Sequence, residues 1–145
     1  MICVAKTDVE RVQMLMFLRA HGVHVQLSED FQAIGRLNGE GKLIGVVGFN
    51  GFCGLTCWVH DAGEKNWLSM DFLRKIFSYP FIQLGMEHLF ATVAASNARA
   101  LRLNRHVGFR DFARIKNGWE KDEDLIILTM AKGECRWIAE ERKAA

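Results

Sequence analysis

Proline is almost missing from this chain: Pro80 is the only one in 145 residues, and Tyr79 beside it is the only tyrosine. No proline-rich, low-complexity or repeated segment interrupts the sequence, and half of it is hydrophobic, which excludes a disordered tract or a repeat array. Long apolar runs are absent as well. The longest, such as IILTMA, are strand-sized against the ~20 residues needed to cross a bilayer. The N-terminus shows no basic region ahead of an apolar signal core. A cytoplasmic protein with no membrane partner is therefore expected. Acids, too, are missing locally: none occurs from His88 through Arg110, a stretch that holds Arg99, Arg102, Arg105 and Arg110.

The length is that of one domain, 1–145, able to bury roughly two thirds of the surface that its unfolded form exposes. Residues 132–145 read as a C-terminal tail, either a short helix packing Trp137 and Ile138 or a partner-facing segment. Of the 19 lysines and arginines four lie in the acid-free stretch, so the other 15 face 17 acids and the positive charge is local. Cys53, Cys57 and His60, with Cys135 as a fourth ligand, invite a zinc reading. On one strand, however, positions 53 and 57 share a face and 60 takes the other. Free thiols and no metal are expected.

ICVAKTDVERVQMLMFLRAHG predicts a short strand and then a helix capped by Thr7 or Asp8, with Val12, Leu15 and Met16 on its inner face. In FQAIGRLNGEGKLIGVVGFNGF, turns at Asn38-Gly39 and Asn50-Gly51 predict a three-strand antiparallel meander that returns into GLTCWVH. Leu68, Phe72, Leu73 and Ile76 have helical spacing, with Asn66 or Ser69 as cap and Pro80 as a stop or kink. HLFATVAA predicts a strand and NARALRLNRHV a short helix ended by Gly108, with Ala100, Leu103 and Val107 facing inward. FRDFARIK and DLIILTMA predict two closing strands. The order is β-α-β-β-β-α-β-α-β-β.

SNARALRLNRHVGF resembles the GNAT superfamily of acyl-CoA-dependent N-acyltransferases, whose N-x-x-A/S helix leads into a Gly-Phe pair, here Asn97, Ala100, Gly108 and Phe109. The likeness extends over nearly the whole chain. FLRKIFSYPFIQLGMEHLFATVAASN is similar to the branch related to ribosomal-protein and amino-sugar acetyltransferases and to compact members encoded by tailed phages. The resemblance implies an α/β fold with a mixed, mostly antiparallel central sheet of about seven strands and flanking helices. It also implies an N-acetyltransferase that moves an acetyl group from acetyl-CoA to a primary amine, acting as monomer or homodimer.

In that family the pyrophosphate of CoA sits on a Gln/Arg-x-x-Gly-x-Gly/Ala loop. HDAGEKN departs from the pattern and leaves Gly63, Lys65 and Asn66, with the amides at the helix start, as the cofactor-binding candidates there. A solvated turn is the alternative. Asn97, Arg99, Ala100 and Arg102 match the helix that holds pantetheine and phosphate. Arg99 and Arg102 also sit at the positive end of a helix dipole, which an anion would relieve; a solvated basic face reads equally. His60 and Asp61 are the catalytic candidates, His60 because an imidazole accepts a proton near neutral pH. The tyrosine that the family uses as an acid is replaced by Asn104. Two other classes fit the residues: a catalytically idle acyl-CoA-binding member of the fold and, less well, a nucleic-acid-binding module using the arginines. The acceptor is a small-molecule or protein amine that the sequence does not specify.

Overall fold

The computed structural model describes residues 1–139, and the last part of the predicted tail, 140–145, lies outside the described residues. The chain opens with β1 (Ile2–Val4) and α1 (Asp8–Ala20), followed by β2 (Gln32–Leu37), β3 (Leu43–Cys53) and β4 (Thr56–Gly63). Then come α2 (Met70–Ser78), β5 (His88–Ala94), α3 (Ala98–Val107), β6 (Arg110–Glu120) and β7 (Glu123–Ala131). The strands form one seven-stranded sheet in the order β1-β2-β3-β4-β5-β7-β6. Every pairing is antiparallel except β4 with β5.

Local chemistry accounts for the helix ends. Thr7 caps α1 in a reciprocal box with Glu10, which satisfies two otherwise orphaned amides. Ser69 accepts from Phe72 N at the start of α2. Pro80 has no amide to continue that helix, and a short π-helical turn at Tyr79–Gln83 follows instead. Asn97 caps α3 through Ala100 N, and Gly108, at φ 128, ends it in a conformation closed to most side chains.

α1 packs over β2, β3 and β4 through Met14, Leu15 and Leu18, against Phe31, Ala33 and Val46. The predicted inner positions Val12 and Met16 are instead exposed. Both sets fit a helical period, and the edge that meets the sheet was fixed by tertiary packing. α2 and α3 cover the opposite face, where Ile34, Val47, Phe49, Phe72, Leu89 and Leu128 form the larger core. On α3 the buried residues are Leu101 and Val107, with Ala100 and Leu103 only partly covered.

The second predicted turn moves. Asn50-Gly51 lies inside β3, where Gly51 at φ 62 forms part of an irregularity between Asn50 and Cys53, and the chain reverses at Gly54-Leu55. A left-handed glycine serves a bulge as well as a hairpin. Cys53 and Cys57 therefore belong to two different strands, the first exposed and the second buried, and neither they nor Cys3 form a disulfide. After β7, Trp137 Nε1 donates to Val107 O and Ile138 is buried, so both predicted tail anchors pack, in short 3-10 turns.

Candidate active site

Two neighbouring strands part company in the middle of the sheet. β4 and β5 pair only at Thr56–His88, Cys57–Leu89 and Trp58–Phe90. Beyond that point β4 stays with β3 as far as Gly63–Gly45, and β5 stays with β7 as far as Ala94–Leu125. The sheet thus opens into a wedge between Val59–Gly63 and Ala91–Ala94. Glu64 N donates to Ile44 O at 2.8 Å, continuing the β3–β4 ladder. Because an antiparallel ladder alternates, the backbone groups of Trp58, His60 and Ala62 face β3, while those of Val59, Asp61 and Gly63 face the wedge. An extended ligand entering there meets free amides and carbonyls.

β4 also presents its two titratable side chains to opposite faces of the sheet. Asp61, opposite Val47, points to the α2–α3 side, into a cavity of about 40 Å³ lined by Val59, Trp67, Leu73, Phe77, Leu103 and Asn104 among others. Among the described residues no group bonds its carboxylate, and burial pushes its pKa up from 3.8 to about 6. His60, opposite Gly48, points to the α1 side. Its Nε2 lies 2.7 Å from Asn50 Oδ1. The amide oxygen only accepts, so Nε2 carries the proton and Nδ1 keeps a lone pair. Burial holds the His60 pKa below its ordinary 6.5, which leaves the ring neutral.

The segment after β4 is closed rather than cradle-like. Gly63 ends β4 instead of lying in the loop, and its missing side chain admits the Trp67 indole, which lies against both Gly63 and Gly45. Arg36 of β2 donates to Asn66 O at 2.7 Å and to Trp67 O at 2.6 Å. Asn66 takes the left-handed conformation, φ 64. Glu64 pairs with Lys42 and His21, each at 3.8 Å, while Lys65 is exposed. Ser69 and Asp71 already occupy the first turn of α2. Arg36, Gly45, Trp67 and Asn50 escaped sequence reasoning. Only the two glycines and a tryptophan four residues after the second hinted at the stacking.

Across the wedge, α3 divides the basic stretch. Arg105 forms a two-point ion pair with Asp111 at 2.9 and 2.8 Å, and Arg110 pairs with Glu134 at 3.3 Å. Arg99 and Arg102 are exposed and have no ion-pair partner among the described residues. No acid lies in the first turn of α3. Asn97 spends its side-chain oxygen, and Ala100 its amide, on the cap between them. Asn104 Nδ2 donates back to Ala100 O, 2.8 Å away.

Solved structures share this architecture. A mutant of the spermidine N-acetyltransferase SpeG from Vibrio cholerae superposes with a TM-score of 0.75 at 9% identity, covering 97% of this chain and 98% of the other. This is the GNAT fold. A dodecameric form of the same Vibrio cholerae enzyme gives 0.71 at 10% identity, covering 91% and 94% of the two chains. A candidate phosphinothricin N-acetyltransferase gives 0.67 at 15%, covering 90% and 98%. No protein-family profile matches the sequence, and no curated protein does so significantly. The expected mixed sheet of about seven strands with flanking helices is thus present, as seven strands and three α-helices among the described residues, in a GNAT-fold protein whose neighbours are acetyltransferases.

Proposed function

We propose that the protein is an N-acetyltransferase that takes its acetyl group from acetyl-CoA and delivers it to a primary amine. The observation that carries this reading is the wedge: β4 and β5 separate after Trp58 and Phe90, leaving strand-edge groups of Val59, Asp61 and Gly63 to bond an extended pantetheine arm. Bound acetyl-CoA supplies an activated thioester carbonyl.

The residues present fit this donor unevenly. The strand edge suits the amides of pantetheine. For the phosphates, Arg99 and Arg102 at the acid-free start of α3 are better placed than the segment Glu64–Trp67, whose carbonyls are tied to Arg36 and whose Glu64 repels anions. Gly63, Lys65 and Asn66 then contribute mainly by shaping the exit from β4, with the exposed Lys65 as an additional cation. Asn97 keeps its side-chain NH2 available as a donor beside the wedge.

An amine must lose a proton as its nitrogen bonds the carbonyl carbon and the carbon–sulfur bond breaks. His60 accepts that proton at Nδ1, its burial keeping it neutral and its Nε2–H held by Asn50. Asp61 borders the wedge from the other face. Its carboxyl, with a pKa of about 6, exchanges protons near neutral pH and stands beside Asn104, where the family's tyrosine is missing. We assign it the return of a proton to the departing sulfur, with solvent resetting both groups.

A catalytically idle acyl-CoA-binding protein is the second reading, favoured by the closed loop after β4. Calorimetric titration with acetyl-CoA, followed by an amine panel read by free-thiol release, tests both. Binding with turnover supports the enzyme, binding with no turnover of any amine selects the idle protein, and no binding rejects both. Among the described residues the ion pairs of Arg105 and Arg110 leave two unpaired arginines on the basic stretch, Arg99 and Arg102, which argues against a nucleic-acid site.

A further inference from the structure

Three aromatic rings form a row on the α1 side of the sheet, running from β4 onto β5 and β6, beyond the strands β2 and β3 that α1 packs over. Trp58 of β4 and Phe90 of β5 lie 5.2 Å apart at 37°, and Phe90 and Phe112 of β6 lie 5.9 Å apart at 62°. Phe112 is 61% exposed, an unusual place for a side chain whose burial is worth about 2 kcal/mol. The row begins where the wedge begins, because Trp58–Phe90 is the last pair that β4 and β5 make. It also ends on a polar group. His60 follows Trp58 on the same face of β4, and its partner Asn50 stands opposite Trp58 in β3. The sheet register places Thr129 beside Phe90, with Arg110 next to it on β6, and Thr92, Ile127 and Ala113 further along the same face.

We infer that this face is the platform for the acceptor, and that the acceptor is a primary amine carrying a flat apolar group, an arylalkylamine, rather than a polycation. The body of such a molecule covers Phe90 and Phe112 in offset or edge-on contact, and its amine reaches His60 at the mouth of the wedge. The rings offer a polycation no ion pair of their own, whereas they match a flat apolar group in size and geometry. A second copy of the chain is a poorer occupant. β6 is the sheet edge, but its ladder with β7 is broken between Asp111 and Ala113 and again between Ile115 and Glu120. Such irregularities turn an edge away from strand pairing. The place assigned to the amine rests on the acyl-transfer reading, whereas the platform itself rests on the rings.

The test is calorimetric titration of the full chain with 2-phenylethylamine and with 1,4-diaminobutane. It is run on the parent, Phe112→Ala and Phe112→Tyr, with sedimentation of each protein and a parallel titration with acetyl-CoA. We expect the parent to bind 2-phenylethylamine at least tenfold more tightly than the diamine. Phe112→Ala should weaken the aryl amine by about tenfold, Phe112→Tyr should restore it, and acetyl-CoA affinity should stay unchanged. Equal affinity for the two amines, or an aryl-amine affinity indifferent to Phe112→Ala, overturns the inference. So does a dimer that Phe112→Ala converts to monomer, since the row is then an interface between copies. Loss of acetyl-CoA binding alone, with the aryl-amine result intact, rejects the acyl-transfer reading and leaves the platform standing.

Discussion

The indole of Trp67 lies where a side chain on Gly63 would have to be. The end of β4 and the segment after it are therefore locked together by an absence, and Gly45, the cross-strand partner of Gly63, takes part in the same contact. Adding one methyl group at Gly63 forces the ring to move. Gly63→Ala should cost about 1 to 3 kcal/mol, read as a lowered melting temperature together with a shift in tryptophan emission. An unchanged melt would show that the indole has room to move aside.

Arg36 holds that segment from below by donating to two carbonyls. Arg36→Met keeps most of the stem and removes the donors, so stability should fall by about 1 to 3 kcal/mol. Amide exchange should quicken in residues 64–69 while the core strands β3 and β7 stay protected. Uniform acceleration across the chain would contradict a local role for the arginine.

Asp61 carries an electrostatic cost that pH can switch. Its folded pKa of about 6 lies above the ordinary 3.8. The protonated carboxyl sits in the cavity without an ionic penalty, whereas the carboxylate pays desolvation there. The penalty is absent below about pH 4, grows between 4 and 6, and is complete above 6, where it amounts to roughly 3 kcal/mol. Asp61→Asn should accordingly melt higher than the parent at pH 7, and the difference should vanish near pH 4. Its turnover should drop at the same time. A parent and variant whose melts run parallel across this range would mean that the carboxylate is solvated.

The four arginines separate into two kinds. Replacing Arg99 and Arg102 together by glutamine should weaken acetyl-CoA binding, each contact being worth about 1.5 to 3 kcal/mol if desolvated. The free protein should keep its melting temperature or gain slightly, because two cations leave a helix N-terminus. Replacing Arg105 instead breaks its ion pair with Asp111 and should leave ligand stabilisation intact. If acetyl-CoA stabilises the Arg99/Arg102 double variant as much as the parent, the acid-free stretch serves no phosphate.

The order of strands and helices was legible in the sequence because periodicity and caps are local, as Thr7, Ser69, Asn97 and Gly108 show. Legibility stopped where distant segments decide. Asn50-Gly51 reads as a hairpin turn, yet the ladder with β4 runs past it. The parting of β4 from β5 leaves no mark in either strand taken alone. His60 and Asp61 were readable as candidates, but their assignment to opposite faces came from the pairing with Gly48 and Val47. The hold of Arg36 on Asn66 and Trp67 spans some thirty residues and follows no motif.

A crystal structure of the protein with acetyl-CoA is the decisive test of the wedge. The pantetheine arm should lie between Val59–Gly63 and Ala91–Ala94, bonded to the β4 backbone, with the phosphates toward Arg99 and Arg102. A cofactor bound elsewhere, or a wedge that stays empty at millimolar acetyl-CoA, would contradict it.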